Sequence, residues 1–209
     1  KLFKTGFFSF SILFLSVYLV NAQKYALDGT VQESLQAVFG IILMPATIIS
    51  LAGQYLLQPI LNTMANFYST GEKKEFNKIV FRALLLIVAF GVLCLLGAYI
   101  LGIPVLNILY SVDISDYKTH LLIIIFGAVL YSMSTLLSAA LTTVRYTFVQ
   151  FIVFGISSII AFFLSRFLIV QYSIYGAALS YLITMTCQFG LYVIIYFAIM
   201  KRIDFKEVV

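Results

Sequence analysis

Six stretches of this chain run for about twenty residues or more with no more than one charged side chain in each, and no other feature limits its fold so sharply. A helix of about 20 apolar residues crosses roughly 30 Å of hydrocarbon, whereas a barrel strand is about ten residues long and alternates polar with apolar. The stretches are long and do not alternate, so helices are expected to span the membrane. In order they are A (2–20, with Lys4 inside), B (37–60), C (within 79–109, with Arg82 near its start), D (121–144), E (146–170, with Arg166 near its end) and F (within 172–200). Composition agrees: 63% of residues are apolar and 10% charged, against about 45–50% and about 25% in a soluble domain. The expected fold is all-α, a polytopic bundle of six transmembrane helices that makes residues 1–209 a single lobe. The chain opens on Lys1 and runs almost directly into span A, so a segment of a longer protein is expected. Lys1 and Lys4 before an apolar core, then Val20-Asn21-Ala22, also have the layout of a signal peptide, but the five spans that follow favour an ordinary membrane helix.

Orientation follows from the cations on alternate sides of the spans. One side carries Lys1, Lys4, Lys73, Lys74, Lys78, Arg82, Arg145, Lys201, Arg202 and Lys206; the other carries Lys24, Lys118 and Arg166. Ten against three places both termini in the cytoplasm. Most connections are short. The segment 62–78 reads as a polar turn with an amphipathic approach to span C, and 21–28 continues span A by two turns. Span C exceeds one straight crossing, and Gly102-Ile103-Pro104 predicts that 105–110 turns along the surface.

Several function classes fall away. The thirteen Lys and Arg sit at the ends of apolar runs and form no stripe that could track phosphates, so no nucleic-acid partner is expected. Cys94 and Cys187 lack CxxC partners, and His120 has no Cys, Asp or Glu at ligand spacing, so neither a disulfide scaffold nor a metal site is expected; His120 reads as a solvated loop residue. The eight carboxylates, Asp28, Glu33, Glu72, Glu75, Asp113, Asp116, Asp204 and Glu207, all fall in loops or tails, which provides no membrane-embedded acid for ion coupling. There is no Walker-type loop and no GxSxG elbow. No enzyme activity and no cofactor are expected.

What remains is polar residues inside the spans. Tyr131, Ser134, Thr135, Ser138 and Thr142 recur at steps of three and four in span D below Gly127, on one helical face. That face fits either a polar cavity wall or close packing through small residues. In span B, Pro45 bends the helix, and Gln54 and Gln58 share a face as a hydrated wall or a buried amide pair. Arg166 would cost about 2.5–3.5 kcal/mol at the bilayer centre, and it either snorkels to the headgroups or contacts an anion. Lys24 is either an interface anchor or a cation at a cavity mouth.

The run Asn21-Ala22-Gln23-Lys24-Tyr25-Ala26-Leu27-Asp28, with Phe39-Gly40-Ile41-Ile42-Leu43-Met44-Pro45, Gln58-Pro59-Ile60-Leu61 and Leu101-Gly102-Ile103-Pro104-Val105-Leu106, resembles the polysaccharide-biosynthesis flippases of the multidrug/oligosaccharidyl-lipid/polysaccharide exporter superfamily. The neighbourhoods of Gly127 and Arg145 continue the likeness. The resemblance implies two six-helix lobes around a central cavity, with this chain similar to the carboxy-terminal lobe and an amino-terminal lobe as its partner. It implies that spans A and B face the cavity, which makes Asn21, Lys24, Tyr25, Gln54 and Gln58 candidate substrate contacts beside Arg166. Where the family carries a basic residue next to the proline of span B, this chain has Gln58, so the likeness does not extend to a pyrophosphate grip there. The implied activity is flipping of an undecaprenyl-diphosphate-linked oligosaccharide across a bacterial cytoplasmic membrane, among membrane lipids, for capsule, O-antigen or exopolysaccharide assembly. The alternatives are a drug or cation antiporter of the same superfamily, a membrane-embedded enzyme of the glycan pathway, and a non-transporting scaffold.

Overall fold

A computed structural model describes residues 2–203, with side chains from Phe10 onward; Lys1, Asp204, Lys206, Glu207 and the Lys4 side chain lie outside the described residues. The described chain is helical: α1 (Leu2–Leu27), α2 (Glu33–Ser69), α3 (Lys73–Gly97), a π-helical turn (Ala98–Gly102), α4 (Ile103–Tyr110), a 3-10 turn (Ser115–Tyr117), α5 (Lys118–Thr143) and α6 (Phe148–Arg202). Five helices are long and apolar enough to cross a membrane. Six were expected; the difference is that spans E and F lie in one 55-residue helical run, α6. α1 continues past residue 20 as expected. The connection expected over 62–78 is much shorter, because α2 runs on to Ser69 and α3 begins at Lys73.

α6 is a hairpin. Its backbone breaks at Ser173 (φ 52°, ψ −130°), between spans E and F. Gln150, near its start, and Tyr192, in its second limb, both hydrogen-bond Ser138 of α5, which requires the two limbs to return to the same level. The limbs approach each other closely beside the turn. Ser157, Ala161, Ser165 and Ile169 are buried at four-residue spacing on the first limb, and Gly176, Ser180, Thr184 and Gln188 repeat that spacing on the second. In lipid the apolar surfaces of helices gain little by meeting, so close backbone approach is what holds such limbs together. The approach is closest at Gly176, where a Cβ would run into the Leu168 carbonyl oxygen.

α5 is the most buried of the five long helices and packs against α2, α3 and α6. Gly53 of α2 meets Ser132, Gly91 of α3 meets Val129, and Gly127 of α5 meets the Tyr181 ring, each so closely that a Cβ would come within 3.0 Å of its neighbour. The large exposed apolar side chains, such as Leu13, Ile48, Leu93 and Phe163, lie on the outside of this arrangement. That distribution suits a solvent of lipid tails.

The Lys- and Arg-rich end of the bundle, here the basic end, has two matching turns. Glu72 N–H donates to the Phe67 carbonyl after Gly71 (φ 76°), and Tyr146 N–H donates to the Leu141 carbonyl after Arg145 (φ 68°). Both are the six-to-one closure that satisfies the last carbonyls of a helix through a left-handed residue, a position that glycine suits and arginine occupies at some cost. Lys73 Nζ donates to the Ile203 carbonyl at 2.6 Å and the Tyr196 hydroxyl donates to Asn77 Oδ1 at 2.8 Å, tying the start of α3 to the end of α6.

At the far end, span C does not turn at 102–104 as expected. Its backbone stays helical through the π-turn, a wider turn that accommodates the missing N–H and the ring of Pro104. Asp113 organises the next turn: the Ser115 N–H donates to its Oδ1 at 3.0 Å, the Ser115 hydroxyl and Asn107 Nδ2 also donate to it, and Ile114 N–H donates to Asn107 Oδ1. These bonds, the Ser115 hydroxyl first, hold the Asp113 carboxyl below its ordinary range. His120 is not a solvated loop residue. It lies in the first turn of α5, half-buried, with its ring 5.2 Å from that of Tyr117 and 5.3 Å from that of Tyr175. The apolar surroundings supplied by α6 were invisible in its local sequence.

Two opposed stability changes are expected within three residues of the α6 hairpin. Ser173→Gly relieves a strained backbone and should stabilise the protein by about 1 kcal/mol, whereas Gly176→Ala forces the limbs apart and should cost about 3 kcal/mol. Unfolding in mixed micelles with increasing SDS measures both, and similar shifts for the two variants would refute the hairpin. For Asp113 the folded-state pKa is lowered, so its contribution is present above the unfolded value of about 3.9 and is lost as pH falls through the lower folded value. Wild type should therefore lose stability on acidification in that window more steeply than Asp113→Asn, as read by thermal melts at a series of pH values.

Candidate functional site

The most polar concavity of the bundle is a cleft of about 610 Å³ bounded by α1, α2, α5 and α6. Gln54 and Gln58 of α2 form one wall, since residues four apart share a helix face. Tyr131, Thr135, Ser138 and Thr142 of α5 form the facing wall, and Ser16 of α1, Thr147 just before α6 and Gln150 of α6 complete it. A smaller, mostly apolar pocket of about 170 Å³ shares Gln54 and Tyr131 and extends past Ser50 and Thr47 to Val20. Together the two run from the basic end towards the middle of α1 and α2. By contrast, the 430 Å³ cleft beside Pro45 and the π-turn, and the 670 Å³ cleft between α1 and α6, are lined almost wholly by apolar side chains.

The two readings of the α5 face divide along the helix. Tyr131, Thr135, Ser138 and Thr142 line the cleft, while Ser134 is fully buried, its hydroxyl donating to the Leu130 carbonyl at 2.8 Å, and Gly127 is packed under Tyr181. Gln54 and Gln58 form a wall and not a buried amide pair: both are exposed, and neither side chain makes a hydrogen bond among the described residues. The Thr142 hydroxyl donates to the Ser138 carbonyl and receives the Gln150 amide, and Tyr192 donates to the Ser138 hydroxyl. These bonds hold the basic end of the cleft in one shape. Its lining includes no charged side chain.

The other four candidate residues lie elsewhere. Asn21 donates its amide to the Val17 carbonyl of its own helix at 2.9 Å. Lys24 is exposed in the last turn of α1, where a cation also suits the carbonyl end of the helix dipole. Tyr25 stacks on Tyr18 with centroids 6.1 Å apart. Arg166 is exposed, lies 4.4 Å from the centre of the Phe162 ring and within electrostatic range of the Tyr18 hydroxyl. The six candidates therefore separate into a neutral pair in the cleft and a group at the far end of α1 and of the first limb of α6.

Sequence reasoning missed Gln150, Thr147 and Ser16. Gln150 had one visible signal, a lone amide in the first turn of an otherwise apolar span, and its role depends on the chain reversal at Arg145. Gln23 and Gln188 were also missed; both are buried, with side-chain amides that have no hydrogen-bond partner among the described residues.

No family model, no curated protein and no solved structure matches this chain.

If the cleft is hydrated, cysteines placed in it react with a membrane-impermeant maleimide once vesicles are opened. On a Cys94→Ala, Cys187→Ala background, Gln58→Cys and Thr142→Cys should label at least about ten-fold faster than Ser134→Cys, because exchange at a buried site needs local opening. Equal rates would mean that the cleft is closed to water.

Proposed function

We propose that this chain is one six-crossing lobe of a flippase for an undecaprenyl-diphosphate-linked oligosaccharide, working in a bacterial cytoplasmic membrane with both termini on the cytoplasmic side. The two limbs of α6 supply the fifth and sixth crossings. The observation that carries the reading is the neutral polar cleft, together with the resemblance of spans A to C to such flippases. Amides and hydroxyls satisfy the many donors and acceptors of a glycan while the surrounding helices keep it from hydrocarbon, and the lipid tail stays outside. Exposed apolar faces of α1 (Leu13, Val17) and α2 (Ile48, Tyr55) flank the cleft and offer a surface for an amino-terminal lobe that would close the cavity.

The positions of the carboxylates favour this reading over an antiporter. Among the described residues, none lies deeper in a helix than its first turn, and coupling to a cation in the membrane generally uses an embedded acid. The diphosphate would meet cations only at the rims, Lys24 and Arg166 at the far end and Arg145 with its neighbours at the basic end.

The test is transfer of a radiolabelled polyprenyl-diphosphate sugar between leaflets of proteoliposomes that hold this lobe together with its amino-terminal partner lobe, read by headgroup accessibility. The protein should speed transfer over empty liposomes. Gln54→Ala with Gln58→Ala, two hydrogen bonds of about 1 kcal/mol each, should slow it roughly ten- to thirty-fold, and Lys24→Ala should slow it less. Transfer no faster than in empty liposomes, with helix content intact, would sink the flippase reading.

A further inference from the structure

A second cavity lies at the basic end, away from the polar cleft. It is a groove of about 310 Å³ between α3 and the second limb of α6, walled by Val80 and Leu84 on one side and Val193 and Phe197 on the other, with Leu137 of α5 as its floor. Asn77 and Tyr196 stand among its lining residues and are joined by the 2.8 Å hydrogen bond from the tyrosine hydroxyl to the amide oxygen. That bond leaves the Asn77 NH₂ group as a donor without another partner among the described residues.

The cations around this groove are in excess. Among the described residues, Lys73, Lys74, Lys78, Lys201 and Arg202 stand at this end with only Glu72 and Glu75, and one ion pair forms, Lys78 with Glu75 at 3.2 Å; Asp204 and Glu207 lie outside the described residues. Lys73 is engaged with the Ile203 carbonyl, bridging the ends of the two helices. Lys74 precedes Asn77 by three positions and Lys201 follows Phe197 by four, so each lies one turn beyond the groove on the helix face that lines it. From Asn77 to Leu84 the groove extends about 10 Å along α3, within the roughly 15 Å depth of one leaflet.

We propose that this groove binds an acidic phospholipid, with one acyl chain between Val80, Leu84, Val193 and Phe197 and the phosphate resting on Lys74, Lys201 and the Asn77 amide. An apolar slot open between helices with uncompensated lysines one turn beyond it matches a molecule that is apolar along its length and anionic at its head. A zwitterionic lipid would fill the slot equally but leave the lysines uncompensated. The site would tie the start of α3 to the end of α6, reinforcing the Lys73 and Asn77 contacts. The inference requires only that these helices span a membrane and does not depend on what the polar cleft carries.

The experiment is native mass spectrometry of the purified 209-residue chain in micelles doped with phosphatidylglycerol or phosphatidylcholine of the same acyl composition. Phosphatidylglycerol should be retained about ten-fold more or better, and Lys74→Gln with Lys201→Gln should reduce that preference to about two-fold or less, with helix content unchanged. Both lysines are exposed, so the double variant is expected to fold. Leu84→Trp, which fills the slot, should lower retention of both lipids; its melting without lipid separates loss of the slot from loss of fold. Equal retention of the two lipids by wild type would overturn the proposal, as would a preference undiminished in the double-lysine variant. Full competition by glycerol 3-phosphate, which has a headgroup and no chain, would also overturn it, by reducing the site to a surface anion contact.

Discussion

In hydrocarbon no water is available to a backbone amide or carbonyl, and each one left unpaired costs several kcal/mol. Helices meet that requirement within themselves, and the remaining design problem is how to bring them together when lipid is as good a neighbour as leucine. This chain solves it by placing α5 at the centre and letting α2, α3 and α6 approach it closely. Gly53 comes against Ser132, Gly91 against Val129 and Gly127 against Tyr181. Ser138 is where the arrangement converges: its carbonyl and hydroxyl take hydrogen bonds from both limbs of α6, and its side chain is also part of the cleft wall. Packing and site are therefore set by the same helix, with small residues turned to its neighbours and hydroxyls turned to the cleft.

Two of the three described non-glycine residues with positive φ have a common logic. Arg145 and Ser173 both adopt positive φ, where glycine would be easier, and they stand at the two ends of the first limb of α6. The turn at Arg145 brings Gln150 back onto Thr142, and the break at Ser173 brings Tyr192 back onto Ser138. Replacing the equivalent glycine at Gly71 would disturb a loop, but the reversals at Arg145 and Ser173 determine whether the cleft has a fourth side. Gly176 then sets how closely the returning limb can lie against the outgoing one.

Much of the architecture was legible because hydropathy acts over about twenty residues and survives local detail. The spans, the continuation of α1 through Leu27 and the interruption between E and F all follow from runs of apolar residues and the polar breaks between them. The four-residue spacing of Gln54 and Gln58 was enough to put them on one face, and the structure supplied what they face. Three features escaped because they are properties of contacts between distant segments. His120 looked like a loop residue until Tyr175 was packed against it; the route of the chain past Pro104 depended on a π-turn that leaves no compositional mark; and Gln150 became a cleft residue only through the turn at Arg145. Family resemblance groups Asn21, Lys24 and Tyr25 with the glutamines, and Arg166 is a candidate as a lone cation inside an apolar run; the geometry places all four outside the lining of the cleft that holds the glutamines.

That separation bears on how a bundle of this kind could handle a charged amphiphile. A phosphate moved into a low-dielectric cleft gains from a nearby cation, but a lysine held there without its anion costs several kcal/mol in the empty state. Neutral amides and hydroxyls avoid that cost, because water can replace the sugar in the empty cleft with little penalty. On the proposed reading, confining the cations to the ends of the bundle, with Lys24 and Arg166 at one and Arg145 at the other, spares the empty cleft the cost of an unpaired charge. Deep binding energy for an anion would trap it, whereas in the proposed flippase a neutral polar cleft would let it enter and leave. For the same reason, if the cleft carries such an anion, placing a lysine at position 58 should slow release more than it helps capture, the reverse of what a simple attraction argument would give.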